Sequence, residues 1–119
     1  MATVLVVDDH ASWREAVRET LERAGHRVVG EARDGLEALA MAKRLTPTLI
    51  TLDIQMPLMN GIQCLEALMA QSPATRVVMV TSVGSPTVQQ RCRELGAASY
   101  VIKPFDPEDL LLAVGEALQ

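Results

Sequence analysis

Two apolar runs in this chain end in carboxylates, and no other feature limits the possible folds as much. Leu49-Ile50-Thr51-Leu52 leads straight into Asp53, and Pro57 marks the turn that follows. Val4-Leu5-Val6-Val7 leads into Asp8 and Asp9. Short, continuous runs of this composition read as strands buried on both faces. The acids are then carried to the carboxyl ends of those strands. Two carboxylates about 5 Å apart repel by roughly 3 kcal/mol at an effective dielectric near 20. Acids crowded in this way either keep a proton or recruit a cation.

The rest of the chain repeats the pattern. Strand-like runs are expected at Thr3–Asp8, Arg27–Ala32, Thr48–Asp53, Arg76–Thr81 and Ser99–Ile102, with a helical pattern after each. In the first helix Trp13, Ala16, Val17, Thr20 and Leu21 recur at helical spacing, Ser12 and Glu15 form a capping box, and Gly25 suits the end. The second begins near Asp34 and stops before Pro47. The third begins around Gly61 with Ile62, Leu65, Leu68 and Met69 inward. The fourth takes Ser85 as cap and Pro86 in its first turn. The fifth repeats that device with Asp106 and Pro107, turning Leu110, Ala113, Val114 and Ala117 inward. Strict alternation of strand and helix predicts a single α/β domain, a doubly wound, five-stranded parallel sheet with helices on both faces and right-handed crossovers. A chain of 119 residues suits one such core. Its only aromatics are Trp13, Tyr100 and Phe105, so the core must be aliphatic, with the six methionines filling gaps.

In open sheets of this class ligands gather beyond the carboxyl ends of the strands. The first strand delivers Asp8 and Asp9 there, the third Asp53, the fourth Thr81 and Ser82, and the fifth Lys103 before Pro104. A small hard cation suits such an oxygen-rich rim, and Mg²⁺ is the natural choice. Lys103 adds a mobile positive charge. The Thr81 hydroxyl can donate to an anionic oxygen. An aspartate beside a metal, a lysine and a hydroxyl is equipped to attack phosphorus and become an aspartyl phosphate. Taken singly, each residue reads as a turn, a cap or a locally satisfied hydroxyl. The signal is their occurrence at successive strand ends.

Several functions are excluded or disfavoured. The net charge is −4, which argues against direct nucleic-acid binding by this chain. No apolar run reaches the roughly 18 residues of a membrane span, and no signal peptide is visible, so a cytoplasmic location is expected. Cys64 and Cys92 lack metal-ligand spacing and read as free thiols. The P-loop motif is absent. A haloacid-dehalogenase-type phosphatase would need Asp-x-Asp-x-Thr where Asp8-Asp9-His10-Ala11-Ser12 stands. A flavodoxin-like electron carrier would need a hydroxyl- and glycine-rich loop after the first strand, where two carboxylates would repel a flavin phosphate.

The motifs Val6-Val7-Asp8-Asp9, Asp53-x-x-Met56-Pro57-x-Met59-x-Gly61, Thr81-Ser82 and Lys103-Pro104-Phe105, in this order, resemble the receiver domain of bacterial two-component response regulators, the chemotaxis type being the simplest relative. The resemblance runs from Val4 to Leu118. It implies the flavodoxin-like receiver fold with strand order 2-1-3-4-5. It also implies that Asp53 accepts a phosphoryl group from a histidine kinase or phosphotransfer protein, or from a small donor such as acetyl phosphate. Mg²⁺ would be bound by Asp9, Asp53 and the Gln55 backbone carbonyl, with Asp8 assisting. Lys103 would pair with Asp53 and then with the phosphoryl oxygens, Thr81 would close on the phosphoryl group, and Tyr100 would respond to Thr81. A cis peptide before Pro104 is implied as well. The chain would not be an enzyme in the ordinary sense, catalysing only its own phosphorylation and dephosphorylation. The partners implied are the phosphodonor and a downstream protein target or output domain. The readout face would lie on the fourth helix, fifth strand and fifth helix, at Val88, Arg91, Tyr100, Glu108 and Leu111, a face through which two copies could also form a homodimer. A degenerate receiver working as a phosphorylation-independent interaction module is the alternative. Ser82 stands where alanine is commonest, and His10 is expected in a loop with access to the site. Val83 and Gln55 occupy positions that tune dephosphorylation in the family, and an apolar Val83 implies a long-lived aspartyl phosphate. Trp13 is expected in the core close behind the acidic pair.

Overall fold

The computed structural model describes residues 1–119. Five parallel strands, β1 (Thr3–Val7), β2 (Arg27–Ala32), β3 (Leu49–Leu52), β4 (Arg76–Thr81) and β5 (Ser99–Ile102), form one sheet in the order β2-β1-β3-β4-β5. The helices are α1 (Ala11–Arg23), α2 (Gly35–Leu45), α3 (Gly61–Gln71), α4 (Pro86–Glu94) and α5 (Pro107–Ala117). This is the doubly wound arrangement expected from the alternation.

Side chains alternate along each strand and so divide the core into two layers. Leu5, Val7, Ile50, Leu52, Val77 and Met79 pack with Ala38 and Ala42 of α2, Cys64, Leu65 and Leu68 of α3, and Cys92 of α4. Val4, Val6, Leu49, Val78, Val80 and Val101 pack with Val17 and Leu21 of α1 and with Leu110, Ala113, Val114 and Ala117 of α5. The central strands are covered on both faces, which is why they read as unbroken apolar runs. Met41, Met56, Met59 and Met69 fill the margins of the first layer. Both cysteines are buried free thiols, and burial, helped by Asp34, pushes the Cys64 thiol up to about 12. No helix is long and apolar enough to cross a membrane.

Helices α4 and α5 begin at the caps expected of them, α2 begins beside Asp34 as expected, and α3 has a cap the sequence reading did not name. Asp34 accepts from Glu37 N, and Asn60 accepts from Ile62 N and Gln63 N. Ser85 accepts from Val88 N, and Asp106 precedes Pro107 at the start of α5. Helix α1 departs from expectation. Its cap is His10, which makes no side-chain cap bond, and Ser12 already lies inside the helix. Only Asp8, Asp9 and His10 separate β1 from α1, so the helix must begin before Ser12 can stand outside it. Gly25 takes φ +90 just beyond the end of α1, as its position implied.

Candidate functional site

The backbone ladder runs one residue past the strand ends and fixes the acidic residues in place. Asp8 N–H donates to Ala32 O at 3.0 Å, and Asp53 N–H donates to Val7 O at 3.1 Å. Lys103 N–H donates to Thr81 O at 2.8 Å. The side chains of adjacent strands therefore start from neighbouring points of one rim. Asp8 and Asp53 are each 3% exposed and Lys103 9%. Thr81 is fully buried. Glycine is required at position 61, because a Cβ there would overlap the Asp53 carbonyl oxygen and the Ile54 backbone. The terminal glycine of the Asp53 motif thus lets α3 start directly against the backbone of Asp53.

Lys103 is the hub. Its Nζ donates to Asp8 Oδ2 at 2.6 Å and to Asp53 Oδ2 at 3.2 Å. The same ammonium lies 4.8 Å from the centroid of Trp13, and Trp13 leans on Phe105 with ring centroids 5.6 Å apart. Trp13 is half-buried in this role and does not join either core layer, contrary to expectation. It walls one side of the site, and a cation held over its face is stabilised there. The peptide bond joining Lys103 to Pro104 is cis.

The other oxygens are accounted for with one exception. Asp8 Oδ1 accepts from His10 N at 2.9 Å, and Asp53 Oδ1 accepts from Ile54 N at 2.7 Å. Asp9 Oδ1 is buried and accepts no hydrogen bond. A buried acceptor left this way normally costs about 1–3 kcal/mol, and a cation is the natural partner for it. Asp8, Asp9, His10 and Asp53 offer ligand atoms that all lie within 4.8 Å of one another. The donor set, mostly carboxylate oxygen, fits a hard divalent ion. Gln55 lies two residues beyond Asp53, and its side chain accepts from Ser82 Oγ at 3.1 Å, joining the β3–α3 and β4–α4 loops.

Thr81 and Tyr100 meet through one residue. Thr81 Oγ1 accepts from Val83 N at 3.3 Å, and the Tyr100 hydroxyl donates to Val83 O at 2.5 Å. Burial, with Cys92 and Asp53 nearby, pushes the Tyr100 phenol up to about 12, so it remains a donor. Val83 itself packs against the first core layer.

Of the residues named from the sequence, Asp8, Asp9, Asp53 and Lys103 come together at this rim, and some of their neighbours were not foreseen. Lys103 holds Asp8 more closely than Asp53. Arg14 Nη1 donates to Asp8 O at 2.7 Å, while its Nε bonds Glu31 at 3.2 Å, which holds the acidic turn from behind. Arg14 follows His10 by one helical turn, and helical side chains lean toward the amino terminus, so that contact was readable in principle.

These features coincide with known proteins. Residues 4–115 match the response regulator receiver domain family. The chain belongs to this family. It is 39% identical over 118 residues to Protein CcdB of Bacillus subtilis, covering 99% of this chain and 98% of that one. It is 34% identical over 113 residues to the chemotaxis protein CheY of Thermotoga maritima, covering 95% and 94%. The CheY structure in a CheX-CheY-BeF3-Mg²⁺ complex from Borrelia burgdorferi superposes with TM-score 0.96 at 30% identity, covering 98% of this chain and 89% of that one. This is a CheY-like receiver domain of a two-component system.

The structure divides the residues expected on the readout face between two grooves and the core margin. A groove between α4, β5 and α5, about 460 Å³ in volume, is lined by Arg93, Tyr100, Ile102, Asp109, Leu112 and Glu116 among others. Leu111 faces the other way and lines a groove against α1 with Ala16, Thr20 and Arg23. Val88 packs against the first core layer. Of the five residues expected on that face, Tyr100 lines the groove and also packs against the first core layer, and Arg91 and Glu108 are exposed.

Proposed function

We propose that this receiver takes a phosphoryl group onto Asp53 from the phosphohistidine of a histidine kinase or phosphotransfer protein, and that the modification alters the α4–β5–α5 face read by a downstream protein target or output domain. The observation that carries the reading is the buried Asp53 carboxylate held by Lys103 at the rim, beside an acidic pair with a free acceptor. An Asp53 oxygen would attack phosphorus, the P–N bond to the donor imidazole would break, and that nitrogen would leave with a proton. Lys103 is placed to follow the negative charge from carboxylate to phosphoryl oxygen. The Thr81 hydroxyl lies on the neighbouring strand and can donate to another phosphoryl oxygen. Asp9, Asp53, Asp8 and the Gln55 carbonyl would hold Mg²⁺, which would offset charge on the transferring oxygens. The Borrelia burgdorferi CheY that this chain resembles was crystallised with BeF3 and Mg²⁺, which supports the reading. On this account the chain catalyses only its own phosphorylation and dephosphorylation.

The Val83 backbone offers the route to the surface. Its N–H binds Thr81 and its carbonyl binds Tyr100, so a Thr81 hydroxyl recruited by phosphate would change what holds both. Only such a difference in contacts between the two states can shift the equilibrium between them. The groove beside Tyr100 exposes Ile102 and Leu112 at 44% and 66%, apolar surface suited to a protein partner or a second copy.

Incubation with acetyl phosphate and Mg²⁺, read by intact mass, should add one phosphoryl group to the wild type and none to Asp53→Asn. Equal labelling of both would overturn the assignment. Val83 has no polar group to orient an attacking water, so Val83→Glu should shorten the lifetime of the aspartyl phosphate several-fold. An unchanged decay rate would remove that role.

A further inference from the structure

His10 is the one member of the rim cluster that the phosphoryl chemistry does not use. Its Nδ1 stands 3.0 Å from Asp9 Oδ1 and 3.5 Å from Asp8 Oδ1. The two atoms are at ion-pair distance, yet Asp9 Oδ1 accepts no hydrogen bond, from His10 or from any other group. Two donors about 3.0 Å apart match adjacent ligands on one octahedral ion with bonds of about 2.1 Å. The His10 backbone is fixed by its N–H bond to Asp8 Oδ1, so the ring is tethered to the acids it faces. The ring is 63% exposed and free to turn inward without unpacking the core.

We propose that His10 supplies a nitrogen ligand to the acidic rim and makes it prefer a first-row transition-metal dication, such as Mn²⁺ or Co²⁺, over Mg²⁺. The inference rests on the reading of the acidic rim as a divalent-cation site. Mg²⁺ takes oxygen ligands and gains little from imidazole, whereas affinity for a mixed nitrogen and oxygen set rises along the series from Mn²⁺ to Co²⁺ and Ni²⁺. His10 is thereby a specificity-determining residue: the three acids set whether a dication binds, and the imidazole sets which one.

The test is direct binding. Chelator-stripped protein is titrated with Mg²⁺, Mn²⁺ and Co²⁺, followed by fluorescence of Trp13, the only tryptophan in the chain, and by visible absorption of bound Co²⁺. The variants are His10→Ala, Asp9→Asn and, as a control, His26→Gln. His26 is the only other histidine, and it precedes β2 at the opposite rim. Loss of a direct ligand should cost at least the roughly 10-fold in affinity that loss of an outer partner costs. His10→Ala should therefore lower Co²⁺ affinity by that factor and change the Co²⁺ spectrum, while Mg²⁺ affinity hardly moves and His26→Gln matches wild type. Asp9→Asn should weaken all three ions. If His10→Ala leaves the ratio of Co²⁺ to Mg²⁺ affinity unchanged while Asp9→Asn still abolishes binding, His10 is no ligand and the acidic site stands. If wild type binds Co²⁺ through His10 but not Mg²⁺, the selectivity survives and the Mg²⁺ reading falls. No binding of any ion overturns both.

Discussion

The two rims of the sheet solve the same problem in opposite ways. At the amino-terminal rim, strand starts are closed by neutral hydrogen bonds. Thr3 N–H donates to Thr48 Oγ1 at 3.1 Å, Thr48 N–H to Thr3 Oγ1 at 3.1 Å, and Thr48 Oγ1 to Thr3 O at 3.0 Å. Ala2 N–H donates to His26 Nδ1 at 3.1 Å. At the carboxyl-terminal rim, two aspartates and a lysine are buried together, and Asp9 Oδ1 is left without a partner. One rim satisfies its own polar groups, and the other keeps a buried acceptor without a hydrogen bond. A protein under selection for stability alone would not keep the second arrangement.

The hardest way to break this contrast is at Lys103. Lys103→Met removes the ammonium that bridges the Asp8 and Asp53 carboxylates and leaves the two buried acids facing each other. Removing one partner of a buried ion pair costs about 3–5 kcal/mol. Urea unfolding should show a loss of that order, the largest effect expected at either rim. A loss within error would mean that water reaches the Asp8 and Asp53 carboxylates once Lys103 is gone.

A pair of milder substitutions sharpens the contrast by sign. Asp9→Asn removes one of three crowded acids, and at separations up to 4.8 Å each repulsion is worth about 1 kcal/mol even at the dielectric of water. It should raise the stability of metal-free protein by about that amount while weakening Mg²⁺ binding. Thr48→Val at the other rim deletes the hydroxyl that both accepts and donates, and should cost about 1 kcal/mol. Chemical unfolding with and without Mg²⁺ measures both. Were both variants destabilised in metal-free protein, the acidic rim would hold no stored repulsion.

How much of this was legible in the sequence differs between the rims for a physical reason. Strand ends and caps are local, so Asp53, Thr81, Lys103, Asp34 and Ser85 could be placed from runs and spacing. The Lys103–Asp8 bond joins residues 95 apart, on strands that are adjacent neither in the chain nor in the sheet, and needs the strand order as well. The inward stripe of α5 was readable from its periodicity. Which flank turns toward α1 and which toward α4 was not, because that depends on where the sheet places the helix, so Leu111 was expected in the groove that Leu112 occupies. The role of Trp13 escaped for a similar reason: an aromatic one turn into a helix looks like core until a buried ammonium is placed against it. His26 gave no signal at all, since its partner is a backbone amide.

That amide offers the smallest and cleanest test of the quiet rim. Burial, with the chain's amino terminus nearby, holds the His26 imidazole below its ordinary value of 6.5, and its Nδ1 must stay unprotonated to accept from Ala2 N. The unfolded chain therefore binds this proton more readily than the folded one. The stability contributed is present above pH 6.5 and is lost as pH falls through the lower folded value. Other groups also titrate in acid, so the informative quantity is the stability difference between wild type and His26→Gln, whose amide oxygen can still accept from Ala2. That difference should shift toward the variant between about pH 8 and about pH 5, whether or not Mg²⁺ is present, because the proposed ion site lies at the other rim. A difference that moved with Mg²⁺ would show the two rims to be coupled through β1, and the division of labour between them would have to be given up.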